Sequence, residues 1–153
     1  MKVKIFNSTL EFLKYAPQNI ADFTNPEYYP VTPDPTQVSI TTTKTSILLE
    51  KIQSANITAG FVVKNLKADK TYRFSYNSLV NSIAAKPGNS PYVAVYDVNN
   101  KDLLLNVSLQ YENGVESKTI TMPSAFGKVV LNVLIKFDED SVKADNIEII
   151  EVV

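Results

Sequence analysis

Residues 60–76, Gly60-Phe-Val-Val-Lys-Asn-Leu-Lys-Ala-Asp-Lys-Thr-Tyr-Arg-Phe-Ser-Tyr76, decide the fold class. Phe61 and Val63 share one side of an extended chain, and Lys67-Ala68-Asp69-Lys70 reverses it. Tyr72, Phe74 and Tyr76 then alternate with Arg73, Ser75 and Asn77. Successive side chains of a strand point to opposite faces, so the stretch reads as a β-hairpin with one apolar and one polar face. A lone hairpin is marginal in water, and its aromatic face needs further strands and a second sheet.

The flanking sequence supplies them. On the amino-terminal side, Val38, Ile40 and Thr42 alternate with Ser39, Thr41 and Thr43, and Ile47 to Ile52 forms another apolar run. On the other side, residues 77–91 read as a long loop closed by Pro87-Gly88-Asn89-Ser90-Pro91. Tyr92 to Val98 is a strand and Asn99-Asn100 a tight turn. Leu103, Leu105, Val107 and Leu109 are the inward face of a strand reaching Tyr111. Asn113-Gly114 suits a turn with positive φ at both central positions and leads into Glu116 to Met122. Val129, Leu131, Val133, Ile135 and Phe137 alternate along one strand, and Asp145 to Val153 closes the domain with Ile147 and Ile149 inward. Residues 2–14 read as one or two short strands or a helical turn. Nine to eleven strands and no helix of ten residues predict an all-β, antiparallel β-sandwich. Its expected core is Phe61, Tyr72, Phe74, Val93, Val95, Leu105, Leu131, Val133, Ile135, Ile147 and Ile149.

Composition narrows the chemistry. The 153 residues suffice for one domain with its own core. Fifteen basic and 16 acidic side chains give a net charge of -1, which provides no field for nucleic acid or an anionic membrane. Without cysteine there is no disulfide and no thiolate metal site. Without histidine the commonest general base and transition-metal ligand is missing. No apolar run approaches the ~20 residues of a membrane span, and the opening Met1-Lys2-Val3-Lys4-Ile5 has no signal-peptide core.

Five of the eight prolines fall between Pro17 and Pro35, so residues 1–36 are expected to be an irregular arm, packed on or extending from a β-sandwich domain of residues 37–153. Within the arm, Tyr28 and Tyr29 either pack on the sandwich edge or present a partner or assembly surface.

Residues 60–76, then Tyr92-Val-Ala-Val-Tyr-Asp97, and last Val142-Lys-Ala-Asp-Asn-Ile-Glu-Ile-Ile-Glu-Val152, resemble the galactose-binding-like jelly rolls. That group includes carbohydrate-binding modules of glycoside hydrolases and domains of bacteriophage tail and fibre proteins. The resemblance spans about residues 38–153. It implies a non-catalytic, carbohydrate-binding module, carried on a bacteriophage particle or another extracellular assembly. The alternative it implies is a virion structural protein, a capsid decoration or tail component that makes protein contacts without a sugar site. Either role implies a homo-oligomer or a place in a larger assembly. The resemblance also puts Asp145 where such modules hold a structural calcium, the only cofactor it suggests. The chain departs from the group in having no tryptophan.

Sugar sites stack pyranose faces on exposed rings and hold hydroxyls with amides and guanidinium groups. On that chemistry the expected ligand-binding residues are Arg73, Asn77, Tyr92, Gln110 and Tyr111, Arg73 being the only arginine. The opposing reading has Arg73 in a solvent-facing salt bridge and the tyrosines covering sheet edges. Asp138, Glu139 and Asp140 are consecutive, whereas a glycosidase pair flanks its bond from two sides, so no enzymatic activity is expected.

Overall fold

The computed structural model describes residues 18–81, 92–112, 115–137 and 139–153. The expected strands in residues 2–14, residues 82–91 of the long loop, the Asn113-Gly114 turn and Asp138 lie outside the described residues. Among the described residues ten strands form two antiparallel sheets, β1 Val38–Thr42, β2 Ile47–Lys51, β3 Ile57–Val62, β4 Thr71–Asn81, β5 Tyr92–Tyr96, β6 Leu103–Ser108, β7 Gln110–Glu112, β8 Val115–Thr121, β9 Val129–Ile135 and β10 Ser141–Val152. One sheet has the order β1-β2-β10-β4-β8-β7 and the other β3-β9-β5-β6. The described residues include no helix, and the architecture is the expected all-β jelly-roll sandwich.

The alternation in residues 60–76 is real, but its hairpin is not. Phe61 and Val63, like Tyr72, Phe74 and Tyr76, are buried, whereas Arg73 and Asn77 are exposed. However, β3 bonds to β9 in the smaller sheet, and β4 bonds to β10 and β8 in the larger. Residues 63–70 therefore cross between the sheets. The segment does not close on itself, because its bonds go to a third strand. Asp69 donates its amide to the Met122 carbonyl (3.2 Å), and Met122 donates to Lys70 (2.8 Å). Asn65 and Asp69, at φ 65° and 59°, make the bends. Tyr72 steadies the crossing as its hydroxyl accepts the Lys67 amide at 3.0 Å.

A second crossing divides the strand expected from Leu103 to Tyr111. Its first part, β6, lies in the smaller sheet and its last, β7, in the larger, with buried Leu109 between them. Leu103 was expected inward and is 49% exposed, because the register slips between Val95 and Tyr96, which pair with Leu105 and Leu103. Phe137 is likewise exposed, since β9 stops at Ile135 and the chain turns. β10 needs a bulge to stay amphipathic. Its register with β4 shifts between Asp145 and Glu148, where Asn146 takes φ 52°. The extra residue switches the inward positions from Val142 and Ala144 to Ile147 and Ile149, so both halves bury their apolar side.

The segment before β1 laces the sandwich edges. β2 pairs with β10 only as far as Ala144. Asn19 takes over the vacated edge, its carboxamide donating to the Ile147 carbonyl (2.9 Å) and accepting the Ile149 amide (2.8 Å). Phe23 is buried edge-on to Phe61, with ring centres 6.1 Å apart. Glu27 then accepts the Val62 amide and Tyr29 donates to Gly60, which extends the smaller sheet beyond β3.

Glu116 is a carboxyl group in the core. Tyr76 donates its hydroxyl to Glu116 Oε2 at 2.7 Å, and both residues are buried. Burial raises the Glu116 pKa above its usual 4.5, and the Tyr76 bond only partly opposes this. The folded state thus binds this proton more tightly than the unfolded chain, so its stabilising effect is full below pH 4.5 and is lost as pH rises through the folded-state pKa. Glu116→Gln keeps an acceptor for Tyr76 and should melt higher than the parent at pH 7, with the advantage shrinking toward pH 4. Thermal melts of both proteins across that range test this. An advantage independent of pH would count against it.

Candidate functional site

The outer face of the smaller sheet collects the residues best suited to hold a ligand. Register places Gly60, Asn132, Tyr92 and Ser108 in one row across β3, β9, β5 and β6, and Val62, Val130, Ala94 and Asn106 in the next. Val93 and Val95 point into the core, so Tyr92, Ala94 and Tyr96 point out. Tyr92 and Tyr96 are four residues apart, or about 13 Å along the strand.

A third ring comes from the amino-terminal segment. After bonding to β3, Tyr29 folds onto this face, and its ring meets Tyr96 at 5.0 Å and 62°. Its hydroxyl donates to the Asn100 carbonyl at 2.6 Å. Only glycine permits this approach, since a Cβ at position 60 would stand 2.0 Å from the Tyr29 carbonyl oxygen. The Tyr96 hydroxyl has a raised pKa, first from burial and then from the Tyr29 and Tyr92 phenols. Tyr29 and Tyr96 are in ring contact, and Tyr92 lies further along the same face.

The polar groups of these two rows are uncharged. Asn132 is buried, and its Nδ2 lies 3.5 Å from both the Tyr92 and the Val130 carbonyl, at the long limit of hydrogen bonding. Asn106 and Ser108 are exposed beside it on β6. The two rows contain no charged side chain. Glu27 and Lys128, at the Tyr29 end, pair with each other, and Lys64 lies 3.7 Å from Glu27. The face offers flat rings and amide or hydroxyl partners.

The expected site residues are divided between the two outer faces of the sandwich. Arg73, Asn77 and Gln110 lie on the larger sheet and Tyr92 on the smaller. The structure does not bring them together, because a core about 10 Å thick separates the sheets. Arg73 sits 3.8 Å from Glu148, an exposed ion pair of little energetic weight. Asn77 is exposed opposite Asp145 and Val115, and Gln110 opposite Ser117. Tyr111 lies on β7 opposite Glu116, and its ring is outside the described atoms. Tyr28 and Tyr29 go separate ways, since the Tyr28 ring packs on Phe61 at 5.3 Å while Tyr29 reaches the outer face.

Asp145 lies within a strand, with Lys143 Nζ 3.8 Å away. No three acidic side chains converge there or elsewhere among the described residues in a way that suits a metal ion. Glu139 turns into its own loop, its carboxylate accepting the Lys136 amide at 2.8 Å. A separate cleft of about 240 Å³ runs along the sandwich edge, with Ile20, Phe23, Val63 and Ile149 beneath a rim of Asn25 and Asn65.

Tyr96 and Asn132 escaped the sequence reading, although each left a signal. Tyr96 is the second outward tyrosine of Tyr92-Val-Ala-Val-Tyr96, and Asn132 is the lone polar residue in the Val129–Ile135 run.

No protein-family model matches the chain, and no curated protein matches it. Solved structures do. The enzymatically active domain of tailspike protein 4 from bacteriophage CBA120 superposes with a TM-score of 0.55 at 9% identity, covering 88% of this chain and 20% of that one. The CBM22-1–GH10 modules of a Clostridium thermocellum endo-1,4-beta-D-xylanase, complexed with xylohexaose, superpose with a TM-score of 0.51 at 9% identity, covering 90% of this chain and 28% of that one. A family 29 carbohydrate-binding module of Piromyces equi reaches 0.47 at 7% identity, covering 89% of each chain. This chain thus spans a fifth to a quarter or so of the first two proteins and shares its fold with part of each.

Proposed function

We propose that the chain is a non-catalytic carbohydrate-binding domain whose ligand lies on the outer face of the smaller sheet. The observation that carries this reading is the Tyr29–Tyr96 ring pair on the face where Tyr92 stands beside Asn132. Rings set along a strand suit the flat, weakly polar faces of successive sugar units, and amides suit their hydroxyls. Uncharged rows suit holding a sugar more than cleaving it, since glycoside hydrolysis needs a pair of carboxylates flanking the bond. The fold shared with the carbohydrate-binding-module–xylanase structure supports the same reading.

The fold shared with a tailspike domain favours display on a bacteriophage particle as the setting, with virion adhesion or structure as the role. A few rings and amides make few contacts, so one domain binds weakly, and repetition in a homo-oligomer or on a particle raises the effective affinity. An artificially multimerised domain should capture glycans on an array. Tyr92→Ala and Tyr96→Ala should each weaken capture about tenfold or more, and Arg73→Ala should leave it unchanged. Silence of the multimer on every glycan would end the carbohydrate reading. Capture lost with Arg73→Ala but kept with both tyrosine variants would place the ligand on the larger sheet.

A further inference from the structure

The turn after β5 is built more firmly than a solvent-exposed connection requires. Asp97 Oδ1 accepts the amides of Lys101 (2.9 Å) and Asp102 (3.3 Å), and the Asp97 carbonyl accepts the Asn100 amide at 2.9 Å. Asn100 stands at φ 58°, a left-handed conformation that asparagine and aspartate tolerate better than other side chains. Its Oδ1 accepts the Lys128 amide at 2.8 Å, and its carbonyl accepts the Tyr29 hydroxyl at 2.6 Å. Gly127 closes the arrangement, because a Cβ there would lie 2.2 Å from the Asp97 carbonyl oxygen and 2.5 Å from Asn100 Oδ1. Three segments distant in sequence, around Tyr29, Asn100 and Gly127, are thus held together at one end of the tyrosine face.

We infer that Asn100 is a positioning residue for the proposed glycan site, holding the Tyr29 ring against Tyr96 through the Tyr29 hydroxyl. This rests on the carbohydrate reading for its function, but not for its geometry. Tyr29 brings its ring to the ligand and its hydroxyl to the protein. Locking the ring before binding spares the ligand the entropic cost of ordering it. The Asn100 side chain fixes the turn to β9, and its left-handed backbone aims the carbonyl at Tyr29.

The test compares Tyr29→Phe, Asn100→Ala and Asn100→Asp with the parent. Three measurements are made: glycan capture by the multimer, the near-ultraviolet circular dichroism of the tyrosines, and the melting temperature. No tryptophan obscures the tyrosine signal. Tyr29→Phe should weaken capture about three- to tenfold with little change in melting. Because it also removes a tyrosine chromophore, the tyrosine signal is read on the Asn100 variants, and it should change in Asn100→Ala. Asn100→Ala should weaken capture to the same degree, with some loss of melting temperature. Asn100→Asp retains both the left-handed preference and the acceptor, and should restore capture and spectrum. Parental capture in Tyr29→Phe, or a parental spectrum in Asn100→Ala, would overturn the inference. So would Asn100→Asp behaving as Asn100→Ala. Should the parent capture no glycan, the carbohydrate reading fails by itself, and the spectra of the two Asn100 variants still decide whether Asn100 holds the ring.

Discussion

Phe61→Ala is expected to lower stability by about 3 to 5 kcal/mol, because the ring lies fully buried at the junction of three segments. Phe23 meets it edge-on at 6.1 Å and Tyr28 at 5.3 Å, so truncation would leave a cavity beneath both. The backbone there is held by β9 on one side and by the Glu27 to Tyr29 bonds on the other, which limits collapse into the space. For a domain of this size the loss corresponds to roughly 6 to 20 °C in melting temperature. Phe74→Ala on the facing sheet should cost a similar amount if burial alone decides, since Phe74 is also nearly inaccessible. Thermal and denaturant unfolding of both variants would check this. A loss near 1 kcal/mol for Phe61 would mean that the amino-terminal segment does not pack on the core as described.

Gly60→Ala is the second large effect, and it should strike stability and the proposed site together. The added methyl would meet the Tyr29 carbonyl oxygen at 2.0 Å, Val130 Cγ1 at 2.8 Å and Asn132 Oδ1 at 3.1 Å. A flexible side chain can yield to such a contact, but the Tyr29 carbonyl belongs to a backbone tied to β3 at Gly60 itself (3.0 Å). The segment would have to leave the sheet edge, at a cost of about 3 kcal/mol, the upper end for overpacking. Tyr29 would leave Tyr96 with it, so Gly60→Ala should reduce glycan capture more than Tyr29→Phe does. Unchanged stability would show that Tyr29 does not lie over Gly60.

The fold class was readable because the side chains that meet in the core recur with a period of two along the strands. Phe61, Tyr72, Phe74, Val93, Leu131, Ile147 and Ile149 are all buried as their alternation predicts. Pairing was not readable in the same way. Residues 60–76 carry the alternation of a hairpin, yet each strand bonds elsewhere, because Asp69 and Lys70 spend their backbone bonds on Met122. Alternation reports which side of a strand is buried and is silent about the neighbouring strand. The same limit governs the site. Arg73 and Tyr92 are both outward residues of good strands, and only the sheet order shows that they face opposite ways. The ladder to Gly60 that delivers Tyr29 to the tyrosine face is a bond between distant residues, which no local pattern in Pro17 to Pro35 announces.

The central claim is that a carbohydrate ligand lies on the outer face of the smaller sheet. Amide and side-chain chemical shifts, followed as a captured oligosaccharide is titrated into the domain, test it most directly. The largest shifts are expected on Tyr29, Tyr92, Tyr96, Asn106 and the Asn132 side-chain amide. Shifts concentrated on Arg73, Asn77 and Gln110, with the tyrosine face unmoved, would contradict it.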